Sequence, residues 1–119
     1  MNNKNIISTG QNLVDFGEAI KSLKAGKRIQ RKGWNGKGMF VFMQVPSSVP
    51  AEVVPRMSSL PDAVKVEFSR RLDSMNKDLK VDAGIRYQNQ LAMVYPDNTI
   101  FGWLASPSDI LSEDWIILD

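Results

Sequence analysis

Phe16, Ala19, Ile20 and Leu23 fall at i, i+3, i+4 and i+7, the spacing of one apolar helix face. Asp15 stands three residues before Glu18, a capping-box spacing. Lys21 and Lys24 lie where the helix dipole favours cations, and Gly26 supplies a stop. The pattern predicts a short amphipathic helix over residues 15–25. A second stripe, Val64, Phe68, Leu72, Met75 and Leu79, recurs at helical spacing with Lys65, Glu67, Arg70, Arg71, Asp73 and Lys77 on the other faces. It predicts a helix of about 18 residues with a narrow apolar seam, opened by the capping pair Ser59 and Asp62.

The strand signals are shorter. Ile29 sits among charged neighbours in Lys27–Lys32, which reads as an edge strand guarded by basic side chains. Met39–Val45 is nearly continuous apolar sequence and predicts a strand buried on both faces. Ile85, Tyr87, Leu91, Met93 and Tyr95 alternate with other side chains and predict a strand. Pro96-Asp97-Asn98 then turns it back through Thr99–Leu104 as a hairpin. Ser106-Pro107-Ser108-Asp109 starts a helix of a turn or two, and Trp115–Leu118 is a last apolar strand. Residues 1–12 read as a flexible lead-in, and Pro46–Pro61, with four Pro, as a loop. The expected architecture is α+β: one domain over residues 1–119, a small mainly antiparallel sheet, an N-terminal helix, and a loop-plus-helix insertion at 46–80.

Composition narrows the chemistry. The chain has 119 residues, 43% hydrophobic and 24% charged, enough for one ordinary core. There are no Cys, which excludes disulfides, thiolate catalysis and zinc knuckles, and no His, the usual neutral-pH acid–base group and commonest metal ligand. No catalytic residue, metal site or cofactor is expected. A hydrolase built on carboxylates such as Asp109 and Asp114 is the weaker alternative, and a binding protein the stronger reading. No run approaches the ~18 apolar residues of a membrane span. Met1–Gln11 lacks the apolar core of a signal peptide, so no membrane partner and a cytoplasmic location are expected.

The net charge is only +2, but it is unevenly placed. Residues 21–37 hold seven basic residues and no acid, whereas residues 97–119 hold five acids and no base. Either the two ends pair, or one of Lys27, Arg28, Arg31, Lys32 and Lys37 faces a phosphate. Gly33-Trp34-Asn35-Gly36-Lys37-Gly38 is the sharpest local feature. Its glycines let backbone amides approach an anion, Asn35 offers donor and acceptor, and Trp34 offers a flat face. A plain glycine-rich turn with a Trp folded over the core explains the same residues. Trp34 and Trp103 each adjoin a glycine and can sandwich a purine, or all three Trp, with Trp115, can be core.

Two blocks resemble a known family. Asp15-Phe16-Gly17-Glu18-Ala19-Ile20, Leu23-Lys24-Ala25-Gly26-Lys27 and Arg31-Lys32-Gly33-Trp34-Asn35-Gly36-Lys37-Gly38-Met39-Phe40 resemble the opening of the phage-associated second Thoeris anti-defence protein family. Asp97-Asn98-Thr99-Ile100, Trp103-Leu104-Ala105-Ser106, Asp109-Ile110-Leu111 and Asp114-Trp115 resemble its closing motif. The family's aspartate-glycine turn is Asp97-Asn98 here, its Pro before the motif's Trp is Gly102, and residues 46–80 form a longer middle than in compact members.

The resemblance implies a phage sponge in the bacterial host's cytoplasm. Such a protein sequesters a cyclic nucleotide immune signal, of glycocyclic ADP-ribose type or, in some members, a cyclic dinucleotide, without cleaving it. It implies a homotetramer with pockets between subunits. On that reading Phe16, Trp34 and Trp103 supply flat contacts, and Arg31, Lys37 or the loop amides around Gly36 meet phosphate. Asn35, Thr99, Ser106 and Asp114 then bond ribose hydroxyls and base edges. No polymeric nucleic acid is expected as a partner. A single-stranded nucleic-acid binder, marked by steep salt dependence, and a structural interaction protein are the alternatives.

Overall fold

Asp15 accepts the Glu18 amide at 2.9 Å and caps α1, Phe16–Lys24, as the spacing predicts. The helix ends at Gly26, whose φ of 90° lies in the left-handed region that favours glycine. The computed structural model describes residues 12–34, 37–79 and 84–119, and of residues 75–79 the backbone alone. The lead-in at 1–12, apart from Asn12, lies outside the described residues, as do Asn35 and Gly36 and the side chains of Met75 and Leu79.

The described elements after α1 are β1 (Arg28–Arg31), β2 (Phe40–Gln44), β3 (Ser47–Pro50), α2 (Asp62–Leu79), β4 (Gly84–Tyr87), β5 (Gln90–Val94), β6 (Ile100–Gly102), α3 (Pro107–Leu111) and β7 (Trp115–Leu118). Single 3₁₀ turns cover Lys32–Trp34 and Val54–Arg56. The class is α+β with antiparallel pairing, as expected. The chain forms two compact units, Met1–Gln44 with Asn89–Asp119, and Val45–Gln88.

In the first unit five antiparallel strands lie in the order β6-β5-β2-β1-β7. β1 is therefore an interior strand, not the edge strand its basic residues suggest. Ile29 pairs with Val41 of β2 on one side and Ile117 of β7 on the other. The edges belong to β6 and β7. Ala19, Leu23, Ile29, Val41, Met93 and Trp115 form the buried core, with Phe16, Ile20, Trp34 and Trp103 packed around it. Burying a Leu, Ile or Val of this kind contributes about 1.5–3 kcal/mol. β2 is not buried on both faces: Val41 is enclosed, but Phe40 and Phe42 remain half-buried on the opposite side, where the Arg28 guanidinium sits 5.1 Å from the Phe40 ring.

The predicted strand 85–95 is two strands in two sheets. β4 pairs with β3 in the second unit, and β5 pairs with β2 and β6 in the first. Gln88 and Asn89 separate them, and Asn89 stands where strict alternation calls for an apolar side chain. The hairpin turn forms as read: Asn98 occupies the left-handed region at φ 68° and donates its amide to the Tyr95 carbonyl at 2.8 Å. An Asn accepts this conformation better than most residues, so it serves where a glycine would.

The second unit has its own small core of Val54, Leu72 and Ile85, packed against Val49, Phe68 and Tyr87. The first turn of α2 closes on the Pro61 carbonyl, which accepts from the Val64 and Lys65 amides at 3.0 Å. The Ser59–Asp62 pair is therefore not its cap.

Candidate functional site

Trp115 is fully buried at the start of β7 and forms the hub of an aromatic cluster. Its indole Nε1 donates to the Asp109 carbonyl at 2.9 Å, so burial leaves no orphan donor. Three half-buried rings pack on it. Phe16, at the first position of α1, lies 5.5 Å away between centroids. Trp34, in the turn after β1, meets it edge-on at 5.6 Å, and Trp103, just after β6, edge-on at 6.0 Å. Phe16 and Trp103 also approach to 6.4 Å. Edge-to-face geometry suits the ring quadrupoles, and it leaves part of Trp34 and of Trp103 open to solvent. The Trp103 amide donates to the Leu91 carbonyl at 2.9 Å, which fixes that side chain beyond the end of β6.

Beside this cluster Arg31, at the end of β1, is held by two carboxylates. Its Nε donates to Asp114 Oδ1 at 2.9 Å and its NH1 to Asp109 Oδ1 at 3.1 Å. Asp109 is placed by a complete capping box: its amide donates to the Ser106 hydroxyl, and its carboxylate accepts from the Ser106 amide. Asp114 is placed by the Ser112 hydroxyl, which donates to Oδ1, and by its own backbone, whose carbonyl accepts the Lys32 amide at 2.9 Å.

The hydrogen bond from Arg31, with help from Ser112, holds the Asp114 carboxyl below the usual range against the effect of partial burial. Burial pushes Asp109 up, but Ser106 and Arg31 together outweigh it and leave that carboxyl lowered as well. Arg31 in turn is raised, chiefly by Asp114. One guanidinium against two carboxylates leaves the group with a net charge of about −1. Such a group accepts hydrogen bonds from hydroxyls and base edges more readily than it binds phosphate.

The structure thus brings six of the sequence candidates to one end of the first unit: Phe16, Arg31, Trp34, Trp103, Ser106 and Asp114. Lys37 is exposed, and its amide donates to the Trp34 carbonyl at 3.0 Å. Thr99 sits instead at the hairpin turn, in a recess with Tyr95, Pro96 and Phe101. Its hydroxyl and then its amide hold Asp97 below the usual carboxylate range. Asn35 and Gly36 lie outside the described residues. Asp109 and Trp115 also build the site, beyond the binding residues that the sequence suggests. The capping-box spacing from Ser106 marks the first, and the position next to Asp114 marks the second. Among the described residues no group of three or more acidic side chains converges to hold a metal ion.

Fold and site define a small α+β domain whose tryptophan hub carries two partly open indoles and an anionic, ion-paired rim. The chain belongs to the Thoeris anti-defense 2-like domain family, whose model matches residues 14–118. It is 32% identical over 106 residues to Thoeris anti-defense 2 of Bacillus phage SP01, across 88% of this chain and 94% of that protein. The matched range takes in both compact units, including the middle segment that interrupts the sheet.

Proposed function

We propose that this chain is a phage anti-defence protein that binds a cyclic nucleotide immune signal and holds it intact. Family membership supports the anti-defence role. The observation that carries the finer reading is the pairing of two partly open tryptophans with an anionic polar rim around one buried hub. Trp34 and Trp103 offer their free faces to a base, and a base stack contributes about 1–3 kcal/mol. Asp114 and Ser106 accept from ribose hydroxyls. Exposed Lys32 and Lys37 serve the phosphates, because Arg31 is already committed to two carboxylates and acts by positioning Asp114.

The reading includes no catalysis: a sponge removes the signal by affinity alone. Nanomolar holding requires about −12 kcal/mol, so stacking, phosphate and ribose contacts act together. A homo-oligomer, a tetramer by family resemblance, belongs to the same proposal. The first unit presents Ile100, Phe101, Leu104 and Leu111 to solvent, with Leu104 92% exposed, an apolar surface suited to a second copy.

The test is direct. The protein is incubated with lysate of cells whose TIR-domain signalling is active, washed, and heated, and the released small molecules are identified by mass spectrometry. Release of an intact cyclic nucleotide is the expected outcome. Release of a hydrolysed product, or of none, removes the sponge reading. Light scattering on the same sample is expected to give a multiple of the 13.3 kDa chain mass, and a monomer would remove the oligomer.

A further inference from the structure

The second unit carries a cleft of its own, and every residue lining it falls within Val45–Gln88. Its volume of about 450 Å³ is within the range of small-molecule sites. Phe68 and Leu72 of α2 and Ile85 and Tyr87 of β4 give it an apolar, partly aromatic wall, and Arg71 and Arg86 stand at its rim. Among the described residues none that lines it is acidic.

Among the described residues the charge at that rim is unbalanced. Glu67 is, among the described residues, the one carboxylate paired with Arg71, whose Nε donates to Oε2 at 2.8 Å. The same carboxylate is already gripped by both Nε and NH2 of Arg70, at 3.0 and 2.5 Å. One negative charge therefore serves two guanidiniums. Arg86 is exposed on β4 and makes no ion pair among the described residues. An apolar wall alone would suit any greasy surface. Joined to two under-compensated arginines, whose planar donor forks match phosphate and carboxylate oxygens, it selects a ligand with a flat apolar body and an anionic end.

We propose that this cleft binds a small aromatic anion, with its ring against Phe68 and Tyr87 and its phosphate or carboxylate on Arg86 and Arg71. The site is separate from the tryptophan hub and does not depend on the sequestering role.

The test uses the full chain and 1-naphthyl phosphate as probe, with inorganic phosphate and 1-naphthol as its two halves. Amide chemical-shift changes on titration are expected to cluster in 60–72 and 84–88. Affinity is expected to fall at least tenfold for each half-probe and for Arg71→Gln/Arg86→Gln. Because both arginines are exposed, the variant is expected to keep the wild-type circular dichroism, and the single Arg86→Gln variant gives an independent reading with an intermediate loss. Shifts centred on Trp34 and Trp103 instead, equal affinity in the double variant, or naphthol binding as tightly as its phosphate would each overturn the proposal. Loss of the immune-signal reading would leave all of these outcomes unchanged.

Discussion

Arg31 Nε donates to Asp114 Oδ1 at 2.9 Å across 83 residues of sequence, tying β1 to the turn that leads into β7. With Asp109 as the second acceptor, the pair joins α3 to the sheet beside the tryptophan hub. All three side chains are largely withdrawn from solvent, at 25%, 31% and 15% exposure for Arg31, Asp114 and Asp109, so water screens them less than a surface pair.

Asp109 and Asp114 are both lowered in the folded state. Groups of that kind contribute stability above their unfolded pKa, about 3.9, and lose it as pH falls through the folded values. Urea midpoints measured between about pH 7 and pH 2 are expected to fall below about pH 4 in the wild type. Asp109→Asn/Asp114→Asn is expected to flatten that acid limb and to cost about 1–3 kcal/mol at neutral pH, where it removes charged hydrogen bonds. A double variant with an unchanged acid limb would show that the ion-paired carboxylates do not set it.

The three tryptophans are expected to separate by experiment. Trp115→Ala empties the centre of the core and is expected to cost about 3–5 kcal/mol, enough to unfold a marginal domain. Trp34→Ala and Trp103→Ala remove half-buried rings, and each is expected to keep a cooperative thermal transition. Each is also expected to weaken retention of the released nucleotide more than tenfold, about 1.4 kcal/mol. Melting curves and ligand retention measured side by side decide the matter. Stability losses as large as that of Trp115→Ala, with affinity unchanged in the folded fraction, would assign both rings to the core.

Gly84 is a position of close backbone approach. A Cβ built there would collide with the Val49 carbonyl oxygen and lie 3.3 Å from the Ala51 amide nitrogen, so β3 and β4 would have to part. Gly84→Ala is expected to cost about 1–3 kcal/mol through overpacking. Hydrogen exchange is the measurement: amides in the β3–β4 ladder are expected to exchange faster than in the wild type. Unchanged protection across Ser47–Pro50 and Gly84–Tyr87 would contradict the close approach.

What the sequence determined by itself is local. α1 with its Asp15 cap, the Ser106–Asp109 capping box, the Asp97-Asn98 turn and most strand segments follow from spacing and backbone preference within a few residues, where period and sterics act directly. The family was legible too, because its motifs are runs of named residues. Tertiary structure decided the rest. Basic residues made β1 look like an edge, but strand order depends on partners distant in sequence, and Ile29 lies between Val41 and Ile117. Alternation made residues 85–95 look like one strand, but the pattern does not say which neighbour each half pairs with. The charge asymmetry between residues 21–37 and 97–119 allowed Arg31 either a phosphate or an acid as its partner. Folding brought Asp109 and Asp114 within hydrogen-bond reach of its guanidinium, and a cation already held by two carboxylates leaves phosphate contacts to the exposed lysines.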